Sequence, residues 1–358
     1  MTGAAIRALQ RVLRSDCMDA YLIVSPVNRR YFTGFPSTDG VLLITENAAE
    51  LLVDPRYFEA ARRQVKACGV RQFTHYYEAL RERLRAHRVH RFMVEQAHMT
   101  LAEWEMLCRQ LSDWVCVSSP VLENRIYALR QIKSPAELDA LRRAQRLTEQ
   151  AFDHILGVLR PGLSEREAAL ELEFFMRRHG AEATAFDLIV LSGARTALPH
   201  GVPTEQTIRR GDLIMMDTGA VVDGMHADMT RMVAIGSVSA EQRKIYQLVC
   251  DAQEAAIAAA RAGISCKSVD NAARNVIERA GYGAYFGHAA GHGVGLEIHE
   301  PPTLGPGSSA VLEKDMVLTV EPGIYLNGRF GIRIEDMVCI TQNGCENLTH
   351  ARKDLILL

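Results

Sequence analysis

The chain has no pair of cysteines spaced as Cys-x-x-Cys, although it contains eight cysteines. Scattered single cysteines indicate reduced thiols, and they argue against both a disulfide framework and a structural zinc site. The chain has no run of roughly eighteen apolar residues, the length that a membrane-spanning helix needs. The apolar stretch in its first segment is too short for a signal peptide. The formal net charge of −2 provides no field for binding a polyanion. These absences predict a cytoplasmic protein that binds neither membrane nor nucleic acid.

Two regions of different character follow one another along the 358 residues, a length that exceeds what a single hydrophobic core serves. Predicted strands and helices alternate over residues 1–125, which indicates an α/β domain with a mixed, partly parallel sheet. We predict a linker at residues 126–133. Amphipathic helices with interleaved antiparallel hairpins over residues 134–358 indicate an α+β domain, whose first helix opens with Ser134 as cap and Pro135 after it.

Two aspartates flank a predicted hairpin in the segment DTGAVVDGMHADMTR. Its turn is Asp223-Gly224, a dipeptide that favours a two-residue type I′ connection. In that register Asp228 faces Gly219, and Asp217 lies diagonal to Asp228 on the same face of the hairpin. Diagonal Cα atoms are roughly 7–8 Å apart, a gap that two inward carboxylates can close around metal ions about 3.5–4 Å apart. The two aspartates therefore fit one site.

Two glutamates flank a second predicted hairpin in the segment EPGIYLNGRFGIRIED. A two-residue turn at Asn327-Gly328 would place Glu321 and Glu335 on opposite faces. A three-residue loop at 327–329, or one bulge, places them directly opposite each other, and we predict this irregular connection. The neighbouring runs VLTV and LIMM read as buried, where unpaired carboxylates would be costly. The four acids together thus indicate a site rather than a solvated surface.

Three histidines lie close together in a glycine-rich segment, at His288, His292 and His299. The glycines make this segment a poor helix, and their spacing is wrong for a dinucleotide fingerprint. Glycines let the backbone approach a ligand closely, and the imidazoles can divide between a metal ligand and donors to a substrate oxygen. Four acids with one imidazole are typical of a dinuclear hydrolase centre, and they favour manganese or cobalt over a structural zinc.

These segments resemble those of the pita-bread metallopeptidases and, within them, the Xaa-Pro dipeptidases (prolidases) and Xaa-Pro aminopeptidases (aminopeptidase P). The resemblance extends over nearly the whole chain: NRRYFTGF and GVLLIT are similar to the amino-terminal domain of these enzymes, RQIKSPAELDALRRA to its junction, and SGARTALPHG to a segment before the metal hairpin. It implies a creatinase/prolidase-like amino-terminal domain, a pita-bread catalytic domain and a homodimer.

The resemblance also implies a role for each metal-binding position. Asp217 would chelate one divalent ion, His292 and Glu321 the other, and Asp228 and Glu335 would bridge the two. Manganese is the favoured metal, with cobalt and zinc as alternatives. A water shared by the ions would attack the peptide carbonyl, and Glu321 would take its proton.

A second group of residues would face the substrate. The resemblance places His200 and His299 around the scissile bond, where either can stabilise the developing oxyanion. It also implies that three further residues line the active site: His288, Tyr325 and Arg333. Arg333 lies two residues before Glu335 and so faces the same side, where it either binds substrate or balances the charge of the carboxylates. Phe186 is a candidate wall for the proline ring or a core residue.

Hydrolysis of Xaa-Pro dipeptides is the function that the resemblance favours, with small proline-containing peptides as substrates. The peptide bond before proline has no N–H, so its recognition needs a dedicated pocket. Some prolidases place an arginine that holds the dipeptide carboxylate where this chain has Thr303. An Xaa-Pro aminopeptidase acting on longer peptides is therefore the alternative.

Three other functions are disfavoured by the residues present. The amino-terminal domain of roughly 125 residues argues against a methionine aminopeptidase. The complete ligand set argues against a creatinase-like hydrolase that works without metals, and against a pita-bread domain kept only as a binding module.

Overall fold

The computed structural model describes residues 2–358, and the chain divides into two compact units, Met1–Arg130 and Gln131–Leu358. The predicted domain limits of 1–125 and 134–358 stay a prediction. Residues 126–131 of the predicted linker form the end of a helix, in which Ile126 and Arg130 are buried.

The amino-terminal unit contains a six-stranded mixed sheet. Its strands are β1 (Ala20–Ile23), β2 (Val41–Thr45), β3 (Ala49–Val53), β4 (Gly69–Gln72), β5 (Arg91–Val94) and β6 (Val115–Ser118). Its helices are α1 (Thr2–Val12), α2 (Pro26–Thr33), α3 (Pro55–Gln64), α4 (Tyr76–Ala86), α5 (Leu101–Gln110) and α6 (Pro120–Gln131). In the order β4-β3-β2-β1-β5-β6, β2 is antiparallel to both neighbours, while β4, β5 and β6 are parallel to theirs. The predicted mixed α/β sheet is confirmed.

Three elements of this unit were missed by the sequence interpretation: α2, β4 and α6. Helix α2 has a signal that could have revealed it, because Ser25 caps it through the Asn28 N–H and Pro26 occupies the first turn. Strand β4 gave none, since most of its four residues are exposed and do not alternate in polarity.

The carboxy-terminal unit combines four helices with several small sheets. Its helices are α7 (Pro135–Leu156), α8 (Glu165–Arg178), α9 (Ala240–Ala259) and α10 (Cys266–Arg279). Its strands are β7 (Ala183–Thr184), β8 (Ile189–Ser192), β9 (Leu213–Thr218), β10 (Ala220–Val222), β11 (Met225–His226), β12 (Met229–Ala234), β13 (Gly291–Gly293), β14 (Glu300–Leu304), β15 (Val317–Val320), β16 (Gly323–Leu326), β17 (Phe330–Arg333), β18 (Asp336–Ile340), β19 (Cys345–Asn347) and β20 (Ile356–Leu357). The predicted α+β architecture is confirmed.

Strand β9 lies between two hydrophobic cores of this unit. Its Met215 packs in the cluster that contains α9 and α10, while Ile214 and Met216 pack in the cluster that contains α7 and α8. Side chains alternate between the two faces of a strand, so an apolar run buried on both sides is the expected result. The sheet order is β20-β12-β9-β8, which makes β9 and β12 the inner pair.

The long helix α7 begins where its sequence predicts. Ser134 accepts a hydrogen bond from the Glu137 N–H, and the Glu137 carboxylate accepts one from the Ser134 N–H, which forms a capping box with Pro135 in the first turn. No helix within residues 2–358 is both long enough and apolar enough to cross a bilayer.

Candidate metal centre and active site

The first hairpin has the predicted turn and register. Asp223 and Gly224 both have positive φ, 49° and 79°, as a type I′ turn requires. Val222 pairs with Met225, and on the far side Thr230 pairs with Asp217. The same register puts Asp228 opposite Gly219, where a Cβ would come within 1.9 Å of the Ala227 carbonyl oxygen. Only glycine fits at that position, and it allows the strands that carry the aspartates to come together.

The second hairpin contains the predicted irregular connection. Leu326 pairs with Phe330, which leaves a three-residue loop at 327–329 with Gly328 at a φ of 72°. The register continues through Val320 paired with Asp336 and therefore places Glu321 opposite Glu335. The predicted three-residue loop is confirmed.

His292 lies in strand β13 with its ring orientation fixed by the backbone. Its Nδ1 donates to the Gly293 carbonyl oxygen at 3.0 Å, which leaves Nε2 as the free, unprotonated nitrogen of a neutral ring. Nε2 lies 3.6 Å from Asp228 Oδ2 and 3.4 Å from Glu321 Oε1. Burial lowers the pKa of His292, which keeps the ring neutral. The lone pair of Nε2 therefore faces two carboxylates, an arrangement that fits a cation bound between the ring and the two acids.

The four acids converge from both hairpins on this histidine. Ligand atoms of Asp228, His292 and Glu335 all lie within 4.8 Å of one another. The exposed fractions are 9% for Asp217, 4% for Asp228 and 1% for Glu335. We call the four acids Asp217, Asp228, Glu321 and Glu335 the carboxylate cluster. All four lie at the end of a strand or directly beside one.

The protein neutralises the carboxylate cluster only in part, through Arg333 beside Asp217. Burial, followed by the charges of Glu335 and Asp217, raises the pKa of Asp228 well above its ordinary value. Burial and the charges of Glu321 and Asp217 do the same for Glu335, and burial raises the pKa of Glu321. Oδ1 of Asp217 is buried and has no hydrogen-bond partner among the described residues. The orphaned oxygen and the mutual repulsion fit a site for divalent cations.

Arg333 lies against the cluster, and its hydrogen bonds are directed into the protein. Its Nη2 contacts Asp217 Oδ2 at 2.5 Å, Nε donates to Thr230 Oγ1 at 2.9 Å, and Nη1 donates to the Pro199 carbonyl and to Tyr325 Oη, both at 3.0 Å. Four of the five guanidinium N–H groups are thus engaged. Burial opposes the charged form, yet Tyr325 and the neighbouring carboxylates raise the pKa of Arg333 well above its ordinary value.

His288 and Tyr325 form one hydrogen-bonded chain with Arg333. The Nδ1 of His288 donates to the Ala289 carbonyl at 2.8 Å, so its Nε2 accepts from the Tyr325 hydroxyl at 3.0 Å when the ring is neutral. Burial lowers the pKa of His288 and so favours the neutral ring. His288 lines the cleft, whereas Tyr325 is 9% exposed and lies behind His288 and Arg333.

Two adjoining cavities of about 500 and 340 Å³ open onto the cluster and form the cleft. They share five lining residues: His200, His292, His299, Glu321 and Arg333. His200 and His299 are exposed, and the His299 ring meets that of His292 edge to face at a centroid distance of 4.4 Å. Thr303 lines the larger cavity, and the half-buried Phe186 lines the smaller one. The structure therefore brings ten of the eleven predicted site residues to the cleft or its carboxylates, with Tyr325 behind them.

Two threonines of the site were missed by sequence reasoning. Thr230 donates to Glu335 Oε2 at 2.7 Å, and Thr319 donates to Glu321 Oε1 at 3.4 Å and accepts from the His292 N–H at 3.1 Å. The position of Thr319, two residues before Glu321 on the same strand face, was an available signal. Such partners orient the ligands of a metal site.

Comparisons with known proteins match both units of the chain. A model of metallopeptidase family M24 matches residues 139–342, and a model of the creatinase/prolidase N-terminal domain matches residues 6–132. The uncharacterized peptidase YqhT of Bacillus subtilis is 42% identical over 344 residues, 95% of this chain and 96% of the relative.

Solved structures of two kinds of peptidase are similar to the structure of this chain. The Xaa-Pro dipeptidase from Bacillus anthracis superposes with a TM-score of 0.97 at 37% identity and covers 100% of each chain. The X-Pro aminopeptidase from Thermotoga maritima MSB8 superposes with a TM-score of 0.91 at 35% identity, over 97% of this chain and 100% of that one.

Proposed function

Because the chain belongs to metallopeptidase family M24, we propose that it is an exopeptidase that hydrolyses the bond before proline, with Xaa-Pro dipeptides as its preferred substrates. The observation that carries this proposal is the buried carboxylate cluster with the free Nε2 of His292, open to a cleft that other histidines line. The similarity to an Xaa-Pro dipeptidase and to an X-Pro aminopeptidase of known structure supports the choice of substrate.

The proposed ligands divide between two divalent ions. Asp217 would hold one ion, His292 and Glu321 the other, and Asp228 and Glu335 would lie between them. Such ions, when bound, supply a Lewis acid for the peptide carbonyl and a water of lowered pKa. Manganese is the metal we propose, since the donors are mainly carboxylate oxygens.

The protein residues position the substrate and move its protons. Glu321 Oε1 accepts from Thr319 at 3.4 Å, and its other oxygen would take a proton from the attacking water. His299 and His200 are exposed in the cleft and can donate N–H groups to the carbonyl oxygen as charge develops on it. Partial desolvation within the cleft, followed by the neighbouring His292, lowers the pKa of His299, so it would act as a neutral donor. Phe186 would lie against the proline ring.

The contacts of Arg333 support its charge-balancing role. With four N–H groups directed to Asp217, Thr230, Pro199 and Tyr325, it has no free pair of donors for a bidentate grip on a substrate carboxylate. We therefore expect Arg333→Lys to impair cleavage of dipeptides and tripeptides alike, because Lys offers a point charge in place of the planar fork.

Relative rates on two substrates test the proposed specificity. The parent enzyme, loaded with manganese, should have a higher kcat/KM for Xaa-Pro than for Xaa-Pro-Yaa. Thr303→Arg should increase this preference by adding a cation in the larger cavity beside the proline carboxylate, whereas Thr303→Ser serves as the neutral control. Cleavage of Xaa-Pro-Yaa at least as fast as Xaa-Pro would instead establish an Xaa-Pro aminopeptidase.

We further propose a cytoplasmic homodimer. All eight cysteines are free, which supports a reducing compartment. Cell fractionation tests the location, and sedimentation equilibrium tests the dimer; a protein found outside the cytoplasm, or one that sediments as a monomer at micromolar concentration, would contradict the respective proposal.

A further inference from the structure

The segment between His292 and His299 reverses the chain at the edge of the cleft. Strand β13 pairs with β14, but the register shifts between His292, which faces Thr303, and Gly293, which faces Glu300. The connecting residues 294–299 therefore carry His299 back toward His292, and the two rings touch edge to face. The position of His299 depends on how this reversal, residues 293–300, is held.

The carboxylate of Glu300 lies inside the reversal and braces it. Its Oε1 accepts from the Glu297 N–H at 3.1 Å. A Cβ on Gly295 would lie 2.8 and 2.9 Å from the two carboxylate oxygens, so the backbone closes directly over the acid. The Gly295 carbonyl in turn accepts from the His226 N–H at 2.8 Å, which fixes the outer side of the loop.

Lys133 supplies a charge on the other side of this carboxylate. Its Nζ lies 3.3 Å from Glu300 Oε2, and the side chains are only 3% and 1% exposed. The Lys133 N–H donates to the Asp315 carbonyl at 2.9 Å, which anchors the lysine from its own backbone. Glu300 lines the larger cavity next to His299, whereas Lys133 is not among its lining residues.

We propose that Lys133 is a positioning residue: acting through Glu300, it fixes the reversal and thereby sets His299 over the substrate. Removing the ammonium takes a cation away from a buried carboxylate, and a buried carboxylate that loses a charge partner draws water or moves outward. Either response displaces the residue that directly precedes Glu300, which is His299. This inference rests on the proposed peptidase function for its kinetic readout, but not for its structural one.

Four variants separate positioning from mere stability. Lys133→Met should lower kcat for Xaa-Pro about 10–100-fold, as displacement of a reacting group does, while metal content stays at the parent level. Glu300→Gln combined with Lys133→Met removes both charges and should recover most of the lost kcat. Glu300→Gln alone leaves the ammonium buried and unpaired. Lys314→Met, at an exposed lysine beside Asp315, is the matched control and should behave as the parent.

The second readout is the ring resonance of His299 in metal-free protein labelled at histidine and assigned with His299→Gln. We expect Lys133→Met to shift this resonance and the double variant to restore it, with no change in Lys314→Met. A lower melting temperature with parent kcat and parent His299 resonance would overturn the proposal. If Lys133→Met does not fold, kcat and the His299 resonance are compared between Glu300→Gln and the double variant. A defect in Glu300→Gln that the double variant restores would support the proposal, and no difference between them would overturn it. A parent that cleaves no Xaa-Pro peptide would refute the proposed function, and the resonance would still test the inference.

Discussion

Glu335 and Asp336 are consecutive acids, almost completely buried, in opposite electrostatic surroundings. Asp336 accepts from Arg231 at 2.7 Å, Asn347 at 2.7 Å and Lys353 at 3.0 Å. Burial alone would raise its pKa, but Arg231 and Lys353 outweigh burial and lower it. Glu335 receives one hydroxyl, from Thr230, and its pKa is raised well above the ordinary value by burial and by Glu321 and Asp217.

The difference shows how one strand separates structure from chemistry. Neighbouring residues of a strand point to opposite faces, so Glu335 and Asp336 enter different environments although they share a backbone. The protein completes the hydrogen bonds of Asp336 and leaves Glu335 among like charges. A buried acid without a protein cation therefore indicates a site for an external one, whereas a fully paired acid indicates a structural role.

We expect the largest effect from removal of the Glu335 charge, which tests its assignment to the metal site. Glu335→Gln should lower kcat/KM by at least about 100-fold, since even residues that only support a metal ligand cost 10–100-fold. Metal content should fall with it, while the metal-free protein keeps or gains stability because repulsion within the cluster is relieved. Elemental analysis, steady-state kinetics and thermal melts measure the three effects. Two tightly held ions with parent turnover would contradict the bridging role.

The converse change removes the charge of Asp336. Asp336→Asn leaves Arg231 and Lys353 with an incomplete partner, and breaking a buried ion pair typically costs about 3–5 kcal/mol of unfolding free energy. Denaturant unfolding of the metal-free protein measures the loss. The control is Asp354→Asn, which breaks an exposed pair with Arg352 and should cost less than about 1 kcal/mol. Equal effects of the two substitutions would refute the distinction.

Removal of the His299 ring tests whether a histidine of the cleft acts on the substrate without binding metal. His299→Ala should reduce kcat about 10²–10³-fold, as loss of one oxyanion donor does, with metal content unchanged. The exposed His350 is the control, and its replacement by alanine should alter neither quantity. Joint loss of metal and activity in His299→Ala would make this histidine a metal ligand.

The smallest effect is expected in the amino-terminal unit, where Glu50 resembles Asp336. Its carboxylate contacts Arg83, Arg71 and His87, which lower its pKa against the effect of burial. A lowered folded pKa contributes stability above the unfolded value of about 4.3, and this contribution is lost as pH falls through the folded pKa. Glu50→Gln should therefore cost about 1 kcal/mol at neutral pH, because the partners are partly exposed, and less in acid.

Tryptophan fluorescence follows this change, because both tryptophans, Trp104 and Trp114, belong to the amino-terminal unit. Urea titrations at several pH values should give parallel curves for parent and Glu50→Gln above pH of about 5 and converging ones below about 4. The exposed Glu46 provides the control, as Glu46→Gln. A difference that grows in acid would contradict the sign of the pKa shift.

Local chemistry allowed much of the fold and site to be predicted. The Asp223-Gly224 turn requires positive φ at both residues, and this requirement sets the register that brings Asp217 beside Asp228. The serine cap of α7 was predictable for the same reason, since residues a few positions apart in the chain determine it. The end of helix α6, residues 126–131, falls in the predicted linker, because only its packing identifies Ile126 and Arg130 as buried.

The sequence by itself determined which donors are present and how each hairpin aligns them, because turn type and the two-residue period of a strand are local properties. Only the tertiary structure decided which acid receives a protein cation. Arg333 meets Asp217 across 116 positions, Arg231 meets Asp336 across 105, and Lys133 meets Glu300 across 167. These contacts form only when separate elements pack together, and the balance between burial and charge that divides Glu335 from Asp336 arises at that stage.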